Sequence, residues 1–264
     1  MEPPTYRNVL VQLTQRNRIA FVKLNRPQSG NSLHPQLLSE LVSALKWVND
    51  QTEVRIIIHS GEGKFFCTGM DLMHTDGMSF ATGSDFHELN RILILSRKVL
   101  IAAVNGPAVG YGVSSLALYD LVYSVPDAYF FTPFVKWGMA AEGASSFSFP
   151  SLMGHQRAAA LFLAGERLTA QEAQRLGLIN KIIPKDNFLQ RVIEIATAIS
   201  ESPPGSLMAT KKLMKEPVLQ SLLDANDREC NIIHAERFGF EEYQKSIEKY
   251  KVKRDHEKKF RCKI

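Results

Sequence analysis

The sequence predicts an α/β protein, and three observations carry that expectation. Short β-branched runs alternate with helical spacing through the first half of the chain, the runs end in turn-rich loops, and beyond Gly143 the pattern becomes helical. The 264 residues are 45% hydrophobic and 22% charged, enough for a substantial core and the balance of a globular chain rather than a disordered one.

In order along the chain, residues 9–13 and 19–24 are short β-patterned runs with polar residues between them, which predicts a β-hairpin. A turn-rich loop, 25–31, follows. From Pro35 the apolar residues Leu37, Leu38, Leu41, Val42, Leu45 and Val48 recur at three and four, one face of a helix ending near Asn49-Asp50. Residues 54–59 and 99–104 are β-branched runs closed by Ser60-Gly61-Glu62-Gly63 and Asn105-Gly106-Pro107. Residues 112–120 predict a short buried helix, and 121–124 and 128–132 two further strands. Helices are expected over 170–175, before Gly177, and over 188–202. Pro203-Pro204-Gly205 is the best internal boundary. It divides the chain into a core of residues 1–205 and a helix-forming, charged C-terminal region, 206–264.

The net charge of +5 is concentrated at the end: residues 245–264 hold nine Lys or Arg against three Asp or Glu, so the rest is close to neutral. Such a tail fits a solvated helix better than a nucleic-acid surface, and no nucleic-acid partner is expected; a small polyanionic ligand near the tail is the alternative. No apolar run approaches the roughly 20 residues of a spanning helix, so no membrane span is expected. Three scattered cysteines, Cys67, Cys230 and Cys262, point to a reducing compartment. Met1-Glu2-Pro3-Pro4 has neither the apolar stretch of a signal peptide nor the Arg-rich pattern of a mitochondrial presequence.

Several chemistries fail on spacing. Gly61-Glu62-Gly63-Lys64 lacks the spacer of a phosphate loop, and residues 106–112 do not fit Gly-x-Gly-x-x-Gly. The seven histidines show no metal-ligand spacing, and no Gly-x-Ser-x-Gly elbow surrounds Ser145 or Ser146. Two glycine turns remain, Gly69-Met70-Asp71 and Gly110-Tyr111-Gly112. Each alone is a turn with a structural explanation. Together they can present two main-chain N–H groups to one oxygen, the second at a helix start where negative charge is favoured.

In order and spacing these segments resemble the enoyl-CoA hydratase/isomerase, or crotonase, family. The blocks are Leu24-Asn25-Arg26-Pro27 with Asn31-Ser32-Leu33, Phe66-Cys67-Thr68-Gly69-Met70-Asp71-Leu72, Asn105-Gly106-Pro107-Ala108-Val109-Gly110, Asp120-Leu121-Val122-Tyr123-Ser124, and residues 163–170. The resemblance implies a spiral of ββα units, a helical C-terminal trimerisation region, and an acyl-CoA thioester whose carbonyl oxygen sits between the amides of Met70 and Tyr111. It implies that Asn31, Ser32 and Leu33 lie beside the adenine-pantetheine arm, with no separate cofactor, CoA being part of the substrate. The family's hydratases use two glutamates to activate water, and those positions hold Ser114 and Phe134 here. Its dienoyl isomerases also need an acid at Phe134. What remains is Glu142, similar to the single catalytic glutamate of the peroxisomal Δ3,Δ2-enoyl-CoA isomerases. One carboxylate suits moving a double bond from C3 to C2 through a dienolate.

The ending Cys262-Lys263-Ile264 has the small-basic-aliphatic form of a peroxisomal address, so a peroxisomal import receptor is an expected partner, beside a homotrimer or hexamer. His34, Asn90 and Trp137 are weaker pocket candidates. The rival readings are a hydratase-like enzyme, a non-catalytic acyl-CoA-binding member, and an RNA-binding member using the basic tail.

Overall fold

A computed structural model describes residues 2–14, 16 and 18–261. The chain opens with β1 (Val9–Leu13) antiparallel to β2 (Ile19–Leu24), followed by α1 (Pro35–Asp50), β3 (Ile56–Gly61), α2 (Asp85–Leu95) and β4 (Val99–Val104). Then come β5 (Ala108–Val109), α3 (Tyr111–Ser114) continuing as a 3-10 turn, β6 (Leu121–Ser124), β7 (Tyr129–Phe131), α4 (Ser145–Met153) and α5 (His155–Phe162). The last part is β8 (Arg167–Thr169), α6 (Ala170–Arg175), β9 (Lys181–Ile182), α7 (Phe188–Ser200), the long α8 (Pro204–Ile232), a π-helical turn Ile233–Arg237, and α9 (Glu241–Arg261).

Six strands form the main sheet in the order β1-β2-β3-β4-β6-β9, and every pair after the first hairpin is parallel. The register places Phe21, Ile58, Ile101 and Leu121 in one row across four strands. Strands β3 and β4 are buried along their whole length, which is why they read as continuous β-branched or small apolar runs and not as alternation. After β2, β3, β4 and β6 the chain lays down a shorter extended piece in a second layer. Leu33 bridges Met70, Cys67 bridges Ala108, and β5 pairs with β7, all parallel, before β8 closes the layer antiparallel. Strand, short extended piece and helix therefore recur four times, the ββα spiral that the resemblance implies.

Local sequence explains the helix starts. His34 caps α1 by accepting the Leu37 N–H, with Pro35 in the first turn; Ser84 caps α2; and Thr169 with Glu172 makes a reciprocal capping box on α6. Three elements depart from the sequence reading. It places nothing at α2, although Ser84 and the three-four spacing of Phe86, Leu89, Leu93 and Ile94 signal a helix. It expects only helix after Gly143, whereas β8 and β9 lie there; at three and two residues they are too short to show a period, and pairing to β7 and β6 creates them.

Helix α8 packs on α2 and α4, and α9 packs on the 3-10 turn Val135–Trp137. Leu222, Ala225, Cys230, Ile233, Tyr243 and Ile247 are buried in the same apolar cluster as the spiral. Cys262, Lys263 and Ile264 lie outside the described residues. Among the described residues no helix is long and apolar enough to cross a membrane, and no group of three or more His, Cys, Asp or Glu is placed to share a metal ion.

Candidate active site

The two glycine turns meet in the second layer. Leu33 N–H donates to the Gly69 carbonyl and Asp71 N–H to the Leu33 carbonyl, both at 2.8 Å. That parallel bridge uses the atoms on either side of Met70 and turns the Met70 N–H toward the opposite edge. The segment 109–111 stands on that edge: a side chain at Gly69, where φ is +77°, would come within 3.0 Å of the Val109 carbonyl oxygen and 3.3 Å of Tyr111 N. Among the described residues neither the Met70 nor the Tyr111 N–H meets an acceptor. Two adjacent free donors, one of them at the start of α3, form a site for a developing negative charge.

Both donors are held from behind. Arg26, 8% exposed, bonds the Ser32 carbonyl at 2.7 Å and the Asp71 carboxylate at 3.0 Å, tying the two sides of the Leu33–Met70 bridge together. Burial opposes the charge on Asp71, yet Arg26, the Met73 N–H and His74 hold its carboxyl below the usual range. On the other side the buried Tyr111 hydroxyl donates to Asn90 Oδ1 at 2.8 Å, and Asn90 donates to Asn226 Oδ1 of α8 at 2.8 Å. Gly112 is required by packing, since a Cβ there would sit 2.3 Å from the Cys67 carbonyl oxygen.

Glu142 shares a cleft with Met70 and Gly110, lined further by Thr68, Gly69, Phe134, Trp137, Met139 and other apolar residues. Among the described residues it is the one ionisable side chain in that lining. Burial, with the negative charge of Glu229 adding to it, pushes the Glu142 carboxyl up to about 8. A carboxyl so placed can take or release a proton near neutral pH. Trp137 forms one wall and meets Tyr250 of α9 edge-on at 5.1 Å.

The structure thus brings Met70, Gly110 and Glu142 to one cleft; Tyr111 follows Gly110 with its N beside Gly69, and its side chain is turned away into the core. Ser114 is buried against Gly143, and Phe134 lines the cleft and packs on Phe162, so the two positions without carboxylates both adjoin Glu142. The side chains of Asn31, Ser32 and Leu33 serve the protein itself. Asn31 accepts the Arg26 N–H and donates to the Glu62 and Phe65 carbonyls, Ser32 receives Arg26, and Leu33 is core. Their main-chain N–H groups are likewise spent on the Arg26, Ser29 and Gly69 carbonyls. His34 is a helix cap and Asn90 a buried bridge, whereas Trp137 does line the cleft.

Sequence reasoning quotes Arg26, Asp71 and Asn90 but assigns none the holding role described here, and it misses Asn226 and Glu229 entirely. The two on α8 had no local signal, because their partners lie 136 and 85 residues away.

Comparison with known proteins identifies the family and the fold. Residues 14–259 match the family described as Enoyl-CoA hydratase/isomerase. Enoyl-CoA delta isomerase 2 of Rattus norvegicus is 33% identical over 233 residues, which are 85% of this chain and 59% of that protein, so the chain spans less than two thirds of that relative. Enoyl-CoA delta isomerase 3, peroxisomal, of Mus musculus is 30% identical over 254 residues, 91% of this chain and 77% of that protein. The crystal structure of an enoyl-CoA hydratase/isomerase from Pseudoalteromonas atlantica T6c aligns with a TM-score of 0.87 at 28% identity, covering 94% of this chain and 98% of that one. Matching sequence over nearly the whole chain, the same fold, and two free amides facing a buried carboxyl lead to one conclusion: the chain belongs to the enoyl-CoA hydratase/isomerase family.

Proposed function

We propose that the chain is a Δ3,Δ2-enoyl-CoA isomerase, converting a 3-enoyl-CoA thioester to the 2-trans-enoyl-CoA in fatty-acid β-oxidation. The observation that carries this reading is the single ionisable side chain of the cleft, Glu142, opposite two unpartnered amides. With the thioester oxygen between the Met70 and Tyr111 N–H groups, the Glu142 carboxylate removes a proton from C2. The C–H electron pair moves into the thioester, leaving a dienolate whose charge rests on the oxygen. The Glu142 carboxylic acid then returns the proton at C4, the electrons shift back, and the double bond lies between C2 and C3. Nothing is gained or lost overall, and the transfer draws on no further cofactor. Each amide is worth about 3 to 4 kcal/mol of barrier in comparable sites. Met139, Ala140 and Ala141 keep the surroundings apolar, which favours a basic carboxylate and excludes competing water.

Hydration would need a second carboxylate to orient water, and Ser114 and Phe134 supply none. Incubation with 3-hexenoyl-CoA should give 2-hexenoyl-CoA of unchanged mass, whereas hydration adds the mass of water. Glu142→Gln should keep acyl-CoA affinity and lower kcat by roughly 100- to 10,000-fold; a variant retaining most of its turnover would remove Glu142 as the base. Peroxisomal residence through Cys262-Lys263-Ile264 and assembly as a trimer or hexamer belong to the same proposal. The first is supported by the peroxisomal Mus musculus relative.

A further inference from the structure

We propose that Glu229 is a positioning residue for the candidate base: reaching from α8, its carboxylate fixes the turn that carries Glu142 and sets a second negative charge beside it. The turn has unusual needs. Gly143 and Ala144 both take positive φ, +71° and +57°, so a residue with a side chain sits in the left-handed region immediately before α4. Ala144 is also the N-cap of α4 and brings no side-chain acceptor of its own. Ser145 N–H turns back to the Glu142 carbonyl at 3.3 Å, but the Ala144 and Ser146 amides would be unpaired without an outside group.

Glu229 supplies it. Ala144 N–H donates to one carboxylate oxygen at 2.6 Å and Ser146 N–H to the other at 2.7 Å, a two-pronged clamp made 85 and 83 residues away in sequence. Glu229 is 5% exposed and Glu142 6%. A buried acid that only capped the helix could sit anywhere along the amide ring; this one stands close enough to Glu142 to raise its carboxyl.

The other groups facing the pair do not compete for the role. Tyr111 of α3, Cys67 of the second layer and Cys230 of α8 are all pushed upward by burial, the two thiols to about 12, so they stay neutral through the working range. On α8 itself, Asp227 is engaged with His87 at 2.7 Å, and Arg228 draws the Glu229 carboxyl down without overcoming its burial. Glu142 and Glu229 are therefore the two acids that exchange protons here.

The proposal rests on reading Glu142 as the base, so its test must separate the two. The protein is prepared with glutamate labelled by carbon-13 at the side-chain carboxyl and titrated by NMR without substrate. The Glu142 and Glu229 resonances are assigned from Glu142→Gln and Glu229→Gln. In Glu229→Gln the Glu142 midpoint should fall by about one pH unit or more, and the acid limb of kcat/KM for 3-hexenoyl-CoA should move with it. In Glu142→Gln the Glu229 midpoint should fall by the same amount, since coupling is reciprocal. Glu229→Asp, which keeps a carboxylate but removes the labelled glutamate, assigns the Glu229 resonance for this second arm should Glu229→Gln not fold. A Glu142 midpoint unmoved in folded Glu229→Gln, or a Glu229 midpoint unmoved in Glu142→Gln, overturns the proposal. Reciprocal shifts in the two variants, together with a wild-type protein that leaves 3-hexenoyl-CoA unchanged, would refute the isomerase reading and leave the positioning role standing.

Discussion

At the scale of single residues, Glu142 sets stability against chemistry. Its carboxyl is raised to about 8 from an ordinary value of 4.5, so between those pH values the folded chain keeps a proton that the unfolded chain has released. The folded state then binds more protons, and stability falls as pH rises through the window, levelling off above it, by about 1.4 kcal/mol for each unit of the difference. In the proposed mechanism activity runs the other way, because only the ionised carboxylate accepts a proton. Glu142→Gln cannot ionise and should escape the loss. Its melting temperature is expected to match the parent near pH 4 and exceed it increasingly toward pH 8. An equal difference at pH 5 and pH 8, by calorimetry, would contradict a buried, raised carboxyl. Arg26 and Asp71 illustrate the converse case: their pairing keeps both charged when buried, and the sequence shows them only as separate members of two motifs.

Among elements, the second layer decides the geometry of the site. Its pieces are single bridges or strands of two or three residues, below the length at which alternation can be read, and they exist because each lies beside the next turn of the spiral. The contact of α3 with the 67–70 segment is tight enough to require Gly112. Gly112→Ala would drive a Cβ against the Cys67 carbonyl oxygen, 2.3 Å away, and since that atom is backbone it cannot swing aside. The expected cost is about 1 to 3 kcal/mol, measured by urea unfolding. Because the same movement parts Met70 from Tyr111, kcat should fall further than the loss of folded protein explains. A variant with lowered stability and full kcat per folded molecule would show that the two amides are not held by this contact.

Over the whole molecule, α8 and α9 tie the C-terminal region to the site. From one helix Asn226 reaches Asn90, the partner of the Tyr111 hydroxyl, and Glu229 reaches the turn after Glu142, and α9 seats Tyr243 and Ile247 in the common core. The division at Pro203-Pro204-Gly205 into spiral and helical region is a proposal whose meaning for folding can be measured. Ile247→Ala is expected to lower a single cooperative transition by roughly 5 to 10 °C, from a loss of about 2 to 4 kcal/mol in a buried position. Two resolved transitions, with the spiral unaffected, would make the tail a separate folding unit.

The sequence by itself determined the α/β alternation, the positions of the glycine turns, the family, and which acid survives where related enzymes carry more. Those features are local, or are spacings within one segment, and a side-chain period or a motif records them. Only the tertiary structure decided that Met70 and Tyr111 lie side by side, that Arg26 locks Asp71, and that Glu229 clamps the turn bearing Glu142. These are contacts between segments 45 and 85 residues apart. Their free energy comes from burying polar groups together, and no stretch of chain read alone shows which partner will satisfy them.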